Sequence, residues 1–174
     1  MKRWLAPFNI YLLTVLIAWS LGCQTSDERK KGKEASTLRL FLEAHRDGND
    51  SQSGVPIYRA NPIRVNVERE PFLSETDLES ASVVDLPGGF AIRAQFDGHG
   101  ALILEGVTVA HKGAHIAVQS NFGESRWLAA PLITRRISNG EFVFTPDATR
   151  DEADRVVRGL TNLITKVKKR SAFK

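Results

Sequence analysis

The chain has 174 residues, 42% of them hydrophobic and 25% charged, with one cysteine and a formal net charge of +4. A single thiol has no partner inside the molecule, which excludes a disulfide framework, and so small a positive charge gives no sign of a nucleic-acid partner. With the first 22 residues set aside, about 150 remain, enough for one compact domain with its own core.

At the N-terminus, Lys2 and Arg3 form a positive n-region. The apolar run that follows, from Ile10 to Leu21, is shorter than the about 20 residues a membrane-spanning helix needs, and the chain then passes through Gly22 to Cys23. Gly22 leaves room at a scissile bond, and Cys23 offers a thiol for thioether linkage to a diacylglycerol. The pattern resembles the lipobox of bacterial lipoproteins, departing from it at Ser20, where that family usually carries Leu. The resemblance implies a signal peptide over residues 1–22, lipidation at Cys23 with acyl chains of the palmitate kind, and a membrane anchor on the extracytoplasmic side. Gln24 resembles the residue after the cysteine in lipoproteins that proceed to the outer membrane. The expected location is the cell envelope facing the periplasm, with the outer membrane favoured over the inner. An ordinary secretory peptide or an uncleaved signal anchor also exports the chain.

Residues 23–36 are polar and charged, including Asp27, Glu28, Arg29, Lys30, Lys31, Lys33 and Glu34, without apolar periodicity. They read as a solvated tether that keeps the domain close to the bilayer. Leu38, Leu40 and Leu42 alternate with Arg39, Phe41 and Glu43, predicting a first strand, and Asp47 to Gly54 is a loop. Ile63, Val65 and Val67 predict a second strand continuing towards Phe72, bracketed by Pro62 and Pro71. Ser74 and Asp77 form a capping-box pattern that predicts a short helix over Glu75 to Val83. Pro87-Gly88-Gly89 turns the chain into a strand carrying Phe90, Ile92, Ala94 and Phe96.

Asp97 caps a predicted helix through Ala101, Leu104 and Thr108 that ends before Gly113. Gly106 inside that helix costs about 1 kcal/mol relative to Ala, which hints at close packing. His115 to Phe122 and Arg126 to Ile133 read as paired strands around Asn121 to Glu124, and Glu141 to Phe144 as another. Thr149 and Glu152 open the clearest helix, with Ala153, Val156, Leu160 and Ile164 at helical spacing. The order suits an α+β fold, a single sheet with amphipathic helices on one face.

Lys166, Lys168, Lys169, Arg170 and Lys174 form a basic tail over 166–174, leaving residues 23–165 at −3. The tail faces anionic phospholipid heads in one reading. In the other it is a solvated end favourable to a helix dipole.

The segment from Phe96 to Leu160 resembles the head of the first periplasmic domain of SecD, a subunit of the bacterial protein translocase. Asp97 and Gly100 open its helix, Thr108 lies within it, and Gly113 with His115-Ile116-Ala117-Val118 matches the step into a strand. Ala130-Pro131-Leu132-Ile133, then Ile137 and Gly140, then Phe144-Thr145 with Glu152-Ala153 continue the series. Upstream, Glu70-Pro71-Phe72-Leu73-Ser74 and Asp77-Leu78 through Ala81 resemble the family's opening. The resemblance implies a ferredoxin-like sandwich over residues 37–165 and a role in contacting exported polypeptide or translocon subunits. SecD continues into membrane helices that do proton-coupled work; with no further apolar span before Lys174, no motor activity is expected.

Chemical signatures are few. His111 and His115 stand four apart, but Gly113 lies between them and zinc needs three or four convergent ligands. Asp97-Gly98-His99-Gly100 lacks the repeated oxygen ligands of a calcium loop. Asp151, Glu152 and Asp154, like Glu75, Asp77 and Glu79, sit where a helix dipole favours acids. No nucleophile elbow, P-loop or dinucleotide fingerprint is present. The expectation is a non-enzymatic binding module without cofactor or metal, associated with protein export. The alternative is a structural or envelope-complex lipoprotein sharing the fold but with an unrelated partner. A hydrolase with an unrecognised site is a third reading. Trp127 beside Arg126 is either an exposed aromatic contact for a client chain or a core or edge packing residue.

Overall fold

The computed structural model describes residues 31–44 and 54–171. Cys23, the expected signal peptide, most of the expected tether and residues 47–53 of the expected loop lie outside the described residues. Two compact units divide after Lys33. The second holds strands β1 (Thr37–Leu42), β2 (Val55–Ile57), β3 (Ile63–Val65), β4 (Leu78–Leu86), β5 (Gly89–Phe96), β6 (Ile116–Asn121), β7 (Ser125–Ala129) and β8 (Glu141–Phe144). Its helices are α1 (Gly98–Ala110) and α2 (Arg150–Ser171).

The fold is α+β, but the expected single sheet is divided. β1-β6-β7 and β4-β5-β8 are separate antiparallel sheets, and β2-β3 is a small third ladder. The division begins in β1, which is apolar on both faces. Leu38, Leu40 and Leu42 enter the main core, while Phe41 points the other way and joins Ile57, Val65, Ala117 and Ala130 in a second cluster. A strand buried on both sides needs a layer on each, and the β2-β3 arm supplies the second. β2 itself carries no alternation long enough to read.

The main core lies between the sheets and the helices. Phe96, Ile92 and Ala94 of β5, Phe142 and Phe144 of β8, and Ala153, Val156 and Leu160 of α2 meet there. Burial of this apolar surface at about 25 cal/mol per Å² is the main drive to fold.

The helix expected over Glu75 to Val83 is not formed. Ser74 and Asp77 do make a capping box, the Ser74 N–H donating to the Asp77 carboxylate at 3.1 Å, but the helix is one 3₁₀ turn, Glu75–Asp77. From Leu78 the chain is a strand, because Ala81 and Val83 pair with Ala94 and Ile92 across β5 and put their apolar side chains against the core. The capping signal is local; the pairing that overrides it comes from residues after the turn at Gly88, whose φ of 87° glycine adopts readily. Val67 likewise falls outside β3 and bridges Glu43 singly.

Asp97 caps α1, accepting the Gly100 N–H at 2.8 Å. Gly106 does not pack closely: an added Cβ would meet nothing within 4 Å. Close packing occurs instead at Gly159 of α2, where a Cβ would lie 2.2 Å from the Ser36 hydroxyl oxygen. There the chain entering β1 is seated on α2. Glu34 pairs with Arg158 at 3.3 Å and Arg155 at 3.7 Å, and the Asn162 side-chain amide donates to the Glu34 carbonyl at 3.0 Å. At its other end α2 opens with a reciprocal box between Thr149 and Glu152 and runs on through Lys166, Lys168 and Lys169.

Candidate functional site

The histidines do not converge. His115 is held by Glu43, its ring Nδ1 at 2.8 Å and its backbone N–H at 2.9 Å from the same carboxylate oxygen. His111 ends α1, its N–H donating to the Val107 carbonyl. His99 lies 3.5 Å from Asp77. Among the described residues no three His, Cys, Asp or Glu side chains are placed to hold a metal ion.

Of the acids that open α2, Glu152 belongs to an ionic cluster at the helix N-terminus, and Asp154 lies 3.7 Å from Arg150. Arg126 of β7 donates to both Glu152 oxygens, at 3.1 and 3.3 Å, and to the Asp147 carbonyl. Arg59 reaches Asp147 at 3.3 Å and Glu152 at 3.7 Å. The Arg126 hydrogen bonds, with the Thr149 N–H, hold the Glu152 carboxyl below its ordinary pKa. Trp127 packs edge-on against Phe41 with centroids 5.1 Å apart, so it braces the second cluster; packing is the reading of Trp127 that the geometry favours.

A feature that individual residues did not announce lies along β8. This strand pairs with β5 alone. Because the Phe96 N–H donates to the Gly140 carbonyl, antiparallel alternation turns the N–H and C=O of Val143 towards the unpaired side. The edges of the other sheet are covered. Leu73 bonds to β1 through Leu40 on one side, and on the other the Asp147 N–H donates to the Leu128 carbonyl of β7. The edge of β4 is unpaired too, but it carries a bulge near Leu78 and the charges Glu79 and Asp85, the devices that keep a sheet edge from pairing.

Beside the β8 edge runs a groove of about 680 Å³. Residues 131–138 wall it opposite the strand, and Thr108, Ile116 and Phe142 also line it. That wall is fixed at both ends: Ile116 donates to the Pro131 carbonyl and Ile133 to the Ala114 carbonyl, while the Ile137 N–H donates to the Thr108 hydroxyl at 3.0 Å. Past Val143 a second depression of about 390 Å³ continues over the outer face of the sheet, among Tyr58, Leu86, Ala91 and Pro131. Tyr58 takes a left-handed φ of 68° and accepts the Ala130 N–H on its hydroxyl, a strained corner residue held by its surroundings. Leu132, Leu86 and Val143 stay 49%, 45% and 41% exposed along this track. A signal was present in the sequence, since Phe142-Val143-Phe144 is apolar without alternation and so leaves Val143 facing away from the core.

No protein-family model matches the sequence, and no curated protein matches it. Among solved structures, one of SecDF, described as a membrane component that enhances protein export, superposes with a TM-score of 0.57 at 17% identity, over 81% of this chain and 69% of that one. The fold is SecD-like. A second SecDF structure, in its super-membrane-facing form, gives a TM-score of 0.57 at 18% identity over 81% of this chain. This chain spans 21% of that SecDF chain. The sequence resemblance to a SecD periplasmic domain and the likeness of the folded chains therefore agree on architecture.

Proposed function

We propose that the protein is a non-enzymatic, membrane-anchored binding module of the cell envelope that holds extended polypeptide during protein export. The observation that carries this reading is the unpaired β8 edge beside a groove of mixed lining, in which Leu132, Ile137 and Val143 stand among Thr134, Arg135, Arg136 and Ser138. An extended chain supplies the missing backbone partners to Val143, and its alternate side chains enter the groove and the Tyr58 depression, the mode of strand addition. Such recognition needs no particular side-chain sequence, which suits a module meeting many exported chains. The SecD-like fold supports the export setting, since the SecDF structure is described as enhancing protein export.

The anchor in this reading is acylated Cys23, facing the periplasm, with the outer membrane preferred on the strength of Gln24. Intact mass of the membrane-extracted protein tests it. The expected chain begins at Cys23 with added acyl mass, and a Cys23→Ser control lacks it; a chain that keeps Met1 overturns the anchor.

Photo-crosslinking in cells tests the binding role. A crosslinker in place of Val143 or Leu132 is expected to trap exported polypeptide or translocon subunits. One in place of Leu102, 71% exposed on α1, should not. Equal yields from all three positions, or no adducts from Val143 and Leu132, would overturn the proposal.

A further inference from the structure

We propose that the β8 edge selects among extended chains by charge, favouring segments in which an apolar residue is flanked by acidic ones. The inference rests on strand addition at Val143, and it adds the chemistry of the side chains that the added strand carries.

Pleating decides which side chain meets which part of the site. The N–H and C=O of Val143 face the unpaired side, so the residue of an added strand that stands opposite Val143 exchanges both backbone bonds with it and puts its side chain on Val143's face. That face leads to the depression among Tyr58, Leu86, Ala91 and Pro131, where no charged residue stands among those described and an apolar side chain fits. The residues before and after it turn to the opposite face. Phe142 lies on that side, buried against the core, and lines the larger groove together with Arg135, Arg136 and Glu141.

The charges of that groove do not cancel. Arg136 is paired with Glu105 of α1, and Glu141 with Arg93 of β5 at 3.1 Å. Arg135 is exposed and makes no ion pair with any described residue. It stands midway between Ile133, whose N–H donates to the Ala114 carbonyl, and Ile137, whose N–H donates to the Thr108 hydroxyl, so the backbone that carries it is held on both sides. Thr134 and Ser138 line the same wall with hydroxyls that bond to no described residue. The wall therefore offers an uncompensated cation and two hydroxyl donors, with its one carboxylate already engaged. A client carboxylate accepts hydrogen bonds from these groups, whereas an ammonium has no acceptor of opposite charge left to meet and is repelled by Arg135. Backbone pairing supplies the binding; charge supplies the preference.

The test uses the full chain in detergent and three short fluorescent peptides of alternating pattern, which differ only in the residues flanking a central valine: aspartate, glutamine or lysine. Anisotropy reads affinity, and a photo-crosslinker in place of Val143 reports whether each peptide lies on the edge. The aspartate peptide is expected to bind roughly three- to fivefold more tightly than the glutamine peptide, and the lysine peptide more weakly than either, with the differences closing in about 0.5 M salt. Arg135→Glu should reverse the order of the aspartate and lysine peptides while the glutamine peptide binds as before, which controls for an intact fold and edge. Equal affinities for all three, with crosslinks at Val143, overturn the charge preference and leave strand addition standing. An aspartate preference that persists in Arg135→Glu also overturns it. Absence of binding and crosslinking for all three removes strand addition, and the preference with it.

Discussion

Two glycines in helices behave oppositely because of what stands beside them. Gly159 faces Ser36, and a Cβ there would lie 2.6 Å from the Ser36 backbone nitrogen. The contact is backbone, which does not move aside, so Gly159→Ala is expected to cost about 1–3 kcal/mol in urea unfolding despite its better helix propensity. Gly106 faces open space, so Gly106→Ala is expected to stabilise by about 1 kcal/mol in the same measurement. Glu152 sets a pH dependence. Its folded pKa is depressed, first by the Arg126 hydrogen bond and then by the Thr149 N–H. The unfolded chain therefore takes up a proton there more readily than the folded one. The contribution is complete above the ordinary carboxylate range and is lost as pH falls through the depressed folded value. Urea midpoints measured from neutral to acid pH should fall less steeply in Glu152→Gln than in the unmodified chain.

At the scale of elements, sequence patterns were legible wherever the information was local. The cap at Asp97, the strand around Ile92 and the box at Thr149 depend on residues within a turn or two of each other, and each stands where its pattern puts it. β4 was misread because Ser74 and Asp77 signal a helix over three residues, while the pairing that makes a strand depends on β5. The β8 edge was illegible for a related reason. The pattern of a strand says which residues are apolar, but whether its second edge is covered depends on distant segments such as residues 131–138. Its backbone polarity gives a specific expectation. The Val143 N–H faces the unpaired side, so Val143→Pro removes a donor that the ladder with β5 does not use. Crosslinks from Leu132 should be lost in this variant, while its urea midpoint stays close to that of the unmodified chain.

For the whole molecule, the division of the sheet leaves the candidate groove along the free edge of β8 and the seat of residues 34–36 on α2. The seat has a mechanical consequence. Tension applied from the N-terminal side enters the fold at Glu34 and meets the ion pairs to Arg155 and Arg158 before it reaches the ladder of β1 with β6. Half-exposed pairs of this kind each contribute under about 1 kcal/mol. Glu34→Gln should therefore leave global stability nearly unchanged while hastening amide exchange over residues 34–36. Under load those three residues peel away first and lengthen the segment ahead of β1 by about 10 Å. The seat is a fuse: it yields before the core does, so a pull from the N-terminal side is taken up there before the domain unfolds.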